Sequence, residues 1–193
     1  MKDITANEMD FVLRIFKNPE RDYNASSIAK DIGISAMGAL KIARRLEKGN
    51  ILKSKLMGRA IYYTLNIEDD YVQQYIRFLL KREVEQATPH VKRWVTDIRK
   101  IKSADSAILF GSVLKKHEAK DIDVLLITDR KRFAQLKREI EEINLINVKK
   151  LHPIYQTRED FKSNIKNEDK VALNAIKGLV VFGEETIIKL VEK

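Results

Sequence analysis

Two carboxylates two residues apart, Asp121 and Asp123, are the part of this sequence best suited to chemistry. They open the apolar run Val124 to Ile127, which reads as a buried strand; side chains on a strand alternate faces, so both acids point to one side. Carboxylates side by side repel unless a cation lies between them, and hard carboxylate oxygens suit Mg²⁺ or Mn²⁺. Upstream, a second apolar run, Ala107 to Phe110, meets Gly111-Ser112. A glycine after a strand lets the backbone turn closely past a ligand, and the start of the next helix offers unpaired N–H groups that favour a phosphate. Phosphate donors and metal carboxylates would then face one cleft.

At Gly111, Ser112, Asp121, Asp123 and the apolar runs beside them the chain resembles the nucleotidyltransferase superfamily of DNA polymerase beta, most closely its minimal nucleotidyltransferase branch. The resemblance runs from about Ser103 to the C-terminus and includes the ending GLVVFGEE before a last helix. It implies that Gly111 and Ser112 hold a nucleoside triphosphate. It also implies that Asp121 and Asp123 bind the metals that activate transfer of a nucleoside monophosphate to a protein or nucleic-acid acceptor. Two departures stand out. The spacer VLKKHEAK is short and lacks the family's Arg-Gly step, although Lys115 and Lys116 keep positive charge there as nucleotide-binding candidates. The family also places a third carboxylate on a later strand, here expected over Leu145 to Gln156, which contains no Asp or Glu. His152 stands at that place and completes the candidate catalytic set with Asp121 and Asp123. A neutral imidazole would hold a second metal less tightly than a carboxylate, yet could still accept a proton near neutral pH.

These residues need a scaffold, and the pattern supplies one. After the acidic pair and its strand, Lys131 to Ile143 reads as a helix with Phe133, Leu136, Ile140 and Ile143 inward. Another strand follows, then a helical stretch from Arg158 to Lys177 and a short buried run from Gly178 to Gly183. Strand, helix, strand, helix, strand is the order of a small α/β domain with a small mixed sheet.

The first third reads differently. Residues 5 to 17 place Phe11, Val12, Ile15 and Phe16 at helical spacing. Ser26 is placed to cap a second helix with Ile28, Ala29 and Ile32 inward and Gly33 at its end; Ser35 caps a third, with Leu40, Ala43 and Leu46 on one face and Gly49 beyond. Two strand-like runs, Ile51 to Leu56 and Ala60 to Leu65, flank Met57-Gly58-Arg59. Helix, turn, basic helix and hairpin over residues 1–66 resemble the winged-helix domains of bacterial and archaeal transcriptional regulators. That resemblance implies duplex DNA as partner, with Lys41, Arg44 and Arg45 as groove or phosphate contacts and Lys53, Lys55 and Arg59 as wing contacts. The same fold also serves as a protein-docking module, which the sequence leaves open.

Residues 67–102 read as a charged helical connector, with Val72, Tyr75, Ile76, Leu79 and Leu80 as one stripe. Thr88-Pro89 restarts a helix bearing Val91, Trp94, Val95 and Ile98. It either packs on the domains it joins or forms a homodimer. His90 and Trp94 read as packing residues. The remaining 103–193 form the nucleotidyltransferase-like domain, and the whole is an α+β chain of two domains.

Composition narrows the classes. The 193 residues carry a net charge of +9, and residues 1–66 hold 12 Lys and Arg against 7 Asp and Glu, which favours a polyanionic partner. With no cysteine, disulfides and thiolate metal sites are excluded. No apolar run approaches the roughly 20 residues that span a bilayer, and MKDITANEMD lacks the apolar core of a signal peptide, so a cytoplasmic protein with no membrane partner is expected. Two functions fit: a DNA-binding protein with a Mg²⁺-dependent nucleotidyltransferase domain, or a regulator whose nucleotidyltransferase-like domain is catalytically degenerate and senses a nucleotide or binds a partner.

Overall fold

The computed structural model describes residues 4–115 and 121–191, so Lys116, expected to bind nucleotide, and His117 lie outside the described residues. The chain divides into two units, Met1–Leu79 and Leu80–Lys193.

In the first unit α1 (Ala6–Phe16) is capped by Thr5, whose hydroxyl accepts the Glu8 N–H. A short strand, β1 (Tyr23–Asn24), leads into α2 (Ala25–Ile32). The expected cap Ser26 lies inside the first turn of α2, and Asn24 caps it instead. Asn24 is extended because β1 pairs with the wing, which gives it the backbone shape an N-cap needs; its Oδ1 accepts the Ser27 N–H at 2.9 Å and Ser27 Oγ accepts the Asn24 N–H at 3.0 Å. At the other end Gly33 takes φ +72°, and the N–H groups of Gly33 and Ile34 both return to the Ala29 carbonyl. That left-handed residue turns the chain sharply into α3 (Ala36–Lys48), capped by Ser35 as expected.

The hairpin β2 (Leu52–Met57) and β3 (Ala60–Leu65) is tighter than expected: Met57 pairs with Ala60, leaving Gly58-Arg59 as a two-residue turn. β1 pairs with β3, giving the antiparallel order β1-β3-β2. Phe11, Phe16, Ile28, Ala43, Leu46 and Tyr63 are buried beneath, each large apolar side chain contributing roughly 2 kcal/mol of burial. Three helices, the small sheet and its hairpin make a winged helix-turn-helix. The next helix, α4 (Asp70–Glu85), contains the division between the units.

The second unit begins with the end of α4 and α5 (Pro89–Ile98). Its sheet has the order β6-β5-β4-β7, built from β4 (Ser106–Phe110), β5 (Ile122–Ile127), β6 (Leu151–Gln156) and β7 (Leu179–Phe182). β4 is antiparallel to β5 and β7, whereas β5 and β6 are parallel, so the sheet is mixed. Leu109, Val124, Leu126 and Leu151 pack on one face with Val91, Trp94, Val95 and Ile98 of α5 and with Leu136 and Ile140 of α6 (Phe133–Ile146). The apolar stripe of α5 is thus covered within its own unit. The remaining helices are α7 (Arg158–Lys166), α8 (Lys170–Ile176) and α9 (Glu184–Val191).

Two expectations need correction. Leu145 and Ile146, assigned to the third strand, end α6 and stand 83% and 70% exposed. The helix runs on because Asn147 stops it later: its buried amide donates to the Ile143 carbonyl and to Asp97 Oδ2. The helical stretch from Arg158 to Lys177 is two helices, broken where Glu168 takes φ +55° and Asp169 caps α8 through the amides of Val171 and Ala172.

One carboxylate fastens α6 to the chain entering β4. Glu139 accepts the amides of Lys102 and Ser103 at 2.9 and 3.1 Å and the Ser103 hydroxyl at 2.7 Å. Burial raises its pKa, but the bonds from Ser103 and Lys102 outweigh that and hold it below its ordinary value of 4.5. A depressed carboxylate pKa stabilises the fold above the unfolded value, and that contribution is lost as pH falls through the folded one. Glu139→Gln should therefore cost about 1–2 kcal/mol at neutral pH and make the loss of stability below about pH 4.5 shallower. Urea unfolding of both proteins across that range checks it.

Candidate functional site

β4 ends at Phe110, and the chain turns at Gly111 into a single 3-10 turn, Gly111–Leu114. Gly111 takes φ +83°, and the carboxylate of Asp123 lies against its Cα: a Cβ built there would overlap Asp123 Oδ2 and stand 3.2 Å from its Cγ. Glycine is thus required here twice over, for the backbone angle and for the space. Of the two acids, Asp123 stands against Gly111.

Asp123 is half-buried at the start of β5, where it pairs with Phe110 on one side and His152 on the other. Residues in register on adjacent strands point to the same face, so His152 and Asp123 stand side by side. Asp121 sits at a bend one residue before β5 and is exposed, as are Ser112, Lys115 and His152. Among the described residues no group of three or more His, Cys, Asp or Glu side chains could hold a metal ion. Asp123 and His152 stand in register, and Asp121 lies one residue outside the strand. Carboxylates of this kind would hold Mg²⁺ or Mn²⁺ only with most of the oxygens supplied by a ligand such as a triphosphate.

His90, read from the sequence as packing, does more. Its Nε2 is 3.1 Å from the Val113 carbonyl and its Nδ1 3.0 Å from Thr88 Oγ. A carbonyl only accepts, so Nε2 carries the proton, and in the neutral ring Nδ1 accepts from the Thr88 hydroxyl. This ties the turn after Gly111 to the start of α5. Thr88 and His90, two apart at a helix start, were visible in sequence, but the bond to Val113 is not a sequence signal. Behind the turn, His90, Arg93, Val113, Ile122 and Lys149 line a cavity of about 360 Å³.

In the first unit Ala39, Ala43 and Leu46 are buried while Lys41, Arg44, Arg45 and Lys48 are exposed, so α3 turns a basic face outward. Lys53, Lys55 and Arg59 are exposed on the hairpin. Two of the six expected DNA contacts have partners within the unit. Arg45 is paired with Glu8 of α1, whose side chain is only 10% exposed, and Lys53 is paired with Glu68 at 2.5 Å. Lys41, Arg44, Lys55 and Arg59 remain as the outward cations.

No family model matches the sequence, and no curated protein matches it. Among solved structures, the chain is similar to a point variant of Lactococcus lactis ZitR, with 13% identity over 51% of this chain and 60% of that one and a TM-score of 0.34. It is also similar to MepR, a transcription regulator of the Staphylococcus aureus multidrug efflux pump MepA, at 14% identity, 51% and 76% coverage and a TM-score of 0.37. A third is the heme sensor protein PefR from Streptococcus agalactiae in complex with heme, at 16% identity, 51% and 72% coverage and a TM-score of 0.36. The chain spans less than two thirds of the length of the ZitR variant. Likeness at these scores carries no weight for what this chain binds.

The contact between Gly111 and Asp123 is open to measurement. Gly111→Ala should destabilise the protein by about 1–3 kcal/mol from backbone strain and the displaced carboxylate together. In the double variant with Asp123→Ala the cost should be smaller than the sum of the singles, because the overlap is gone. Additive costs in urea unfolding would leave the backbone angle as the whole reason for glycine.

Proposed function

We propose that the chain is a DNA-binding transcription regulator whose second unit binds a nucleoside triphosphate together with a divalent cation. The observation that carries the DNA half is the outward basic face of α3, which follows the tight turn at Gly33 and precedes a hairpin tipped by Lys55 and Arg59. In a winged helix that face enters the major groove and the wing lies along the backbone. Paired cations displace fewer counterions, so Lys41 and Arg44 contribute more than Arg45, whose removal would also strand the buried Glu8. Lys41→Ala with Arg44→Ala should weaken binding to duplex DNA and lower the slope of log affinity against log salt by about 2, while Asp121→Asn leaves both unchanged. Gel shifts at low salt that give no complex with duplex DNA would leave the winged helix as a protein-docking module.

Support for the nucleotide half comes from Asp123 packed on Gly111 beside the exposed Ser112, with Asp121 two residues before it. Ser112 and Lys115 would meet phosphate, and Asp121 and Asp123 would hold Mg²⁺ or Mn²⁺ whose shell the triphosphate completes. When bound, the cation supplies charge neutralisation at the phosphates. This chain's own part is to keep the acids, the turn and His152 on one edge.

The position of His152 favours binding over efficient transfer to an acceptor, because an imidazole stands in register with Asp123 where the resemblance calls for a carboxylate. Calorimetry should show triphosphate binding that a chelator abolishes and Asp123→Asn weakens about tenfold or more. Incubation with alpha-labelled nucleotides should transfer little label to protein or nucleic acid, and His152→Asp should raise it. Strong wild-type transfer surviving His152→Ala would make the chain an enzyme with two carboxylates; equal binding with and without metal would make the acids ordinary surface charges.

A further inference from the structure

The cavity behind the turn that follows Gly111 has a chemistry of its own. Ile122, at its back, belongs to the core that packs under α5 and α6, whereas the next residue on the strand, Asp123, points to the other face and stands against Gly111. The cavity and the acidic edge are therefore on opposite sides of the sheet. A volume of about 360 Å³ suits a small molecule.

Charge decides what the cavity can take. Its lining contains Arg93 and Lys149 and no Asp or Glu. Arg93 stands four residues before Asp97 on α5, a spacing at which ion pairs form along a helix. Asp97 is engaged elsewhere, accepting from Lys100 at 2.5 Å and from the Asn147 amide at 3.1 Å. Arg93 instead donates to Asn147 Oδ1 at 3.2 Å, a neutral acceptor, and among the described residues it pairs with no carboxylate. Asn147 is buried and fixed by its bonds to Asp97 and the Ile143 carbonyl. It holds the guanidinium at the cavity and leaves most of its N–H donors open to a ligand.

The wall supplies shape. Both ring nitrogens of His90 are occupied, by the Val113 carbonyl and the Thr88 hydroxyl, so neither is offered to a ligand. Accessible apolar surface comes from Pro89 and Val148, both exposed, and from the 6% of Trp94 that is open; Val113 and Ile122 are buried behind them. Val148 is 96% exposed, so a ligand lying against it removes apolar surface from water.

We propose that this cavity binds a small organic anion, a single carboxylate or phosphate head on an apolar body. The head takes the hydrogen bonds that Arg93 leaves open, the Lys149 ammonium adds to its attraction, and the body lies against Pro89, Val148 and Trp94. The site needs no metal and uses none of Ser112, Asp121, Asp123 or His152, so it stands or falls apart from the triphosphate reading.

Trp94 is the only tryptophan in the chain, so its emission reports on this cavity. Titrations of the full chain are run in chelator, which silences the metal-dependent site, with hexanoate, phenylacetate and hexyl phosphate beside uncharged hexanamide, phenylacetamide and hexanol. At least one anion should change the emission saturably below about 10 mM, with calorimetry giving the same Kd, and its uncharged counterpart should not. The head group of the anion that binds separates carboxylate from phosphate. Arg93→Ala should weaken that binding about tenfold or more, and Arg93→Gln, which keeps more of the side chain, should act alike. Urea midpoints show that each variant is folded, and Arg93 is exposed, so its removal leaves the core intact. No saturable binding of any of the anions by either measurement overturns the proposal. So does full affinity in a folded Arg93 variant, equal binding of the uncharged counterpart, or inorganic phosphate binding as tightly as the organic anion.

Discussion

Strand β5 admits almost no polar side chain along its length. It has a neighbour on each edge, β4 and β6, and Val124, Leu125, Leu126 and Ile127 are wholly buried, so every face and edge of its middle is closed to water. A carboxylate or hydroxyl placed there would lose hydration without a partner, at a cost of several kcal/mol. Polar residues therefore collect at its two ends: Asp121 and Asp123 where the chain enters, Thr128 and Asp129 where it leaves. The rest of the second unit follows from this. The Gly111 turn and His152 meet the entering end, and Arg130, Arg132 and Thr157 meet the leaving end.

That constraint is also why much of the second unit was legible in the sequence. An apolar run bounded by acids can be read without any structure, and so can the glycine that closes the preceding strand. The two-residue spacing of the acids assumed that both lie on the strand, whereas Asp121 sits at a bend just before it. Legibility failed where an element was decided by a distant partner. Leu145 and Ile146 look like strand residues because they are apolar and branched or bulky. What extends α6 over them is the buried amide of Asn147, bonded to Asp97 fifty residues earlier in the chain. His90 shows the same limit: its place on a helix face reads as packing, and its tie to the Val113 carbonyl depends on a residue 23 positions later.

The first unit shows the same limit in its charges. The spacing of Ala39, Ala43 and Leu46 sets the inner face of α3 and so the outward direction of Lys41 and Arg44. Arg45 lies beside Arg44 in sequence and is also exposed, yet α1 presents Glu8 to it across the helix packing, and a buried carboxylate holds a guanidinium far more firmly than surface charges hold one another. Cap chemistry behaved likewise. Ser26 and Asn24 are both good caps, and the choice between them was made by β1, whose pairing with β3 extends the backbone at Asn24 and leaves Ser26 inside the helix.

Parallel pairing of β5 with β6 has one more consequence. Because the strands run the same way, their starts share one edge of the sheet and their ends share the other, and each row of paired residues repeats the same two-strand geometry. At the entering edge that geometry sets Asp123 beside His152, with Gly111 brought in by antiparallel β4. At the leaving edge antiparallel β4 begins, with Ser106 beside Ile127, and the chain turns from β5 and β6 directly into a helical segment, at Asp129 and at Thr157. Asp129 accepts the amides of Lys131 and Arg132, Thr157 accepts that of Asp160, and Asp105, entering β4, binds Arg132 and Arg158. Arg130, Glu159 and Asp160 line the same edge outside that set of ion pairs.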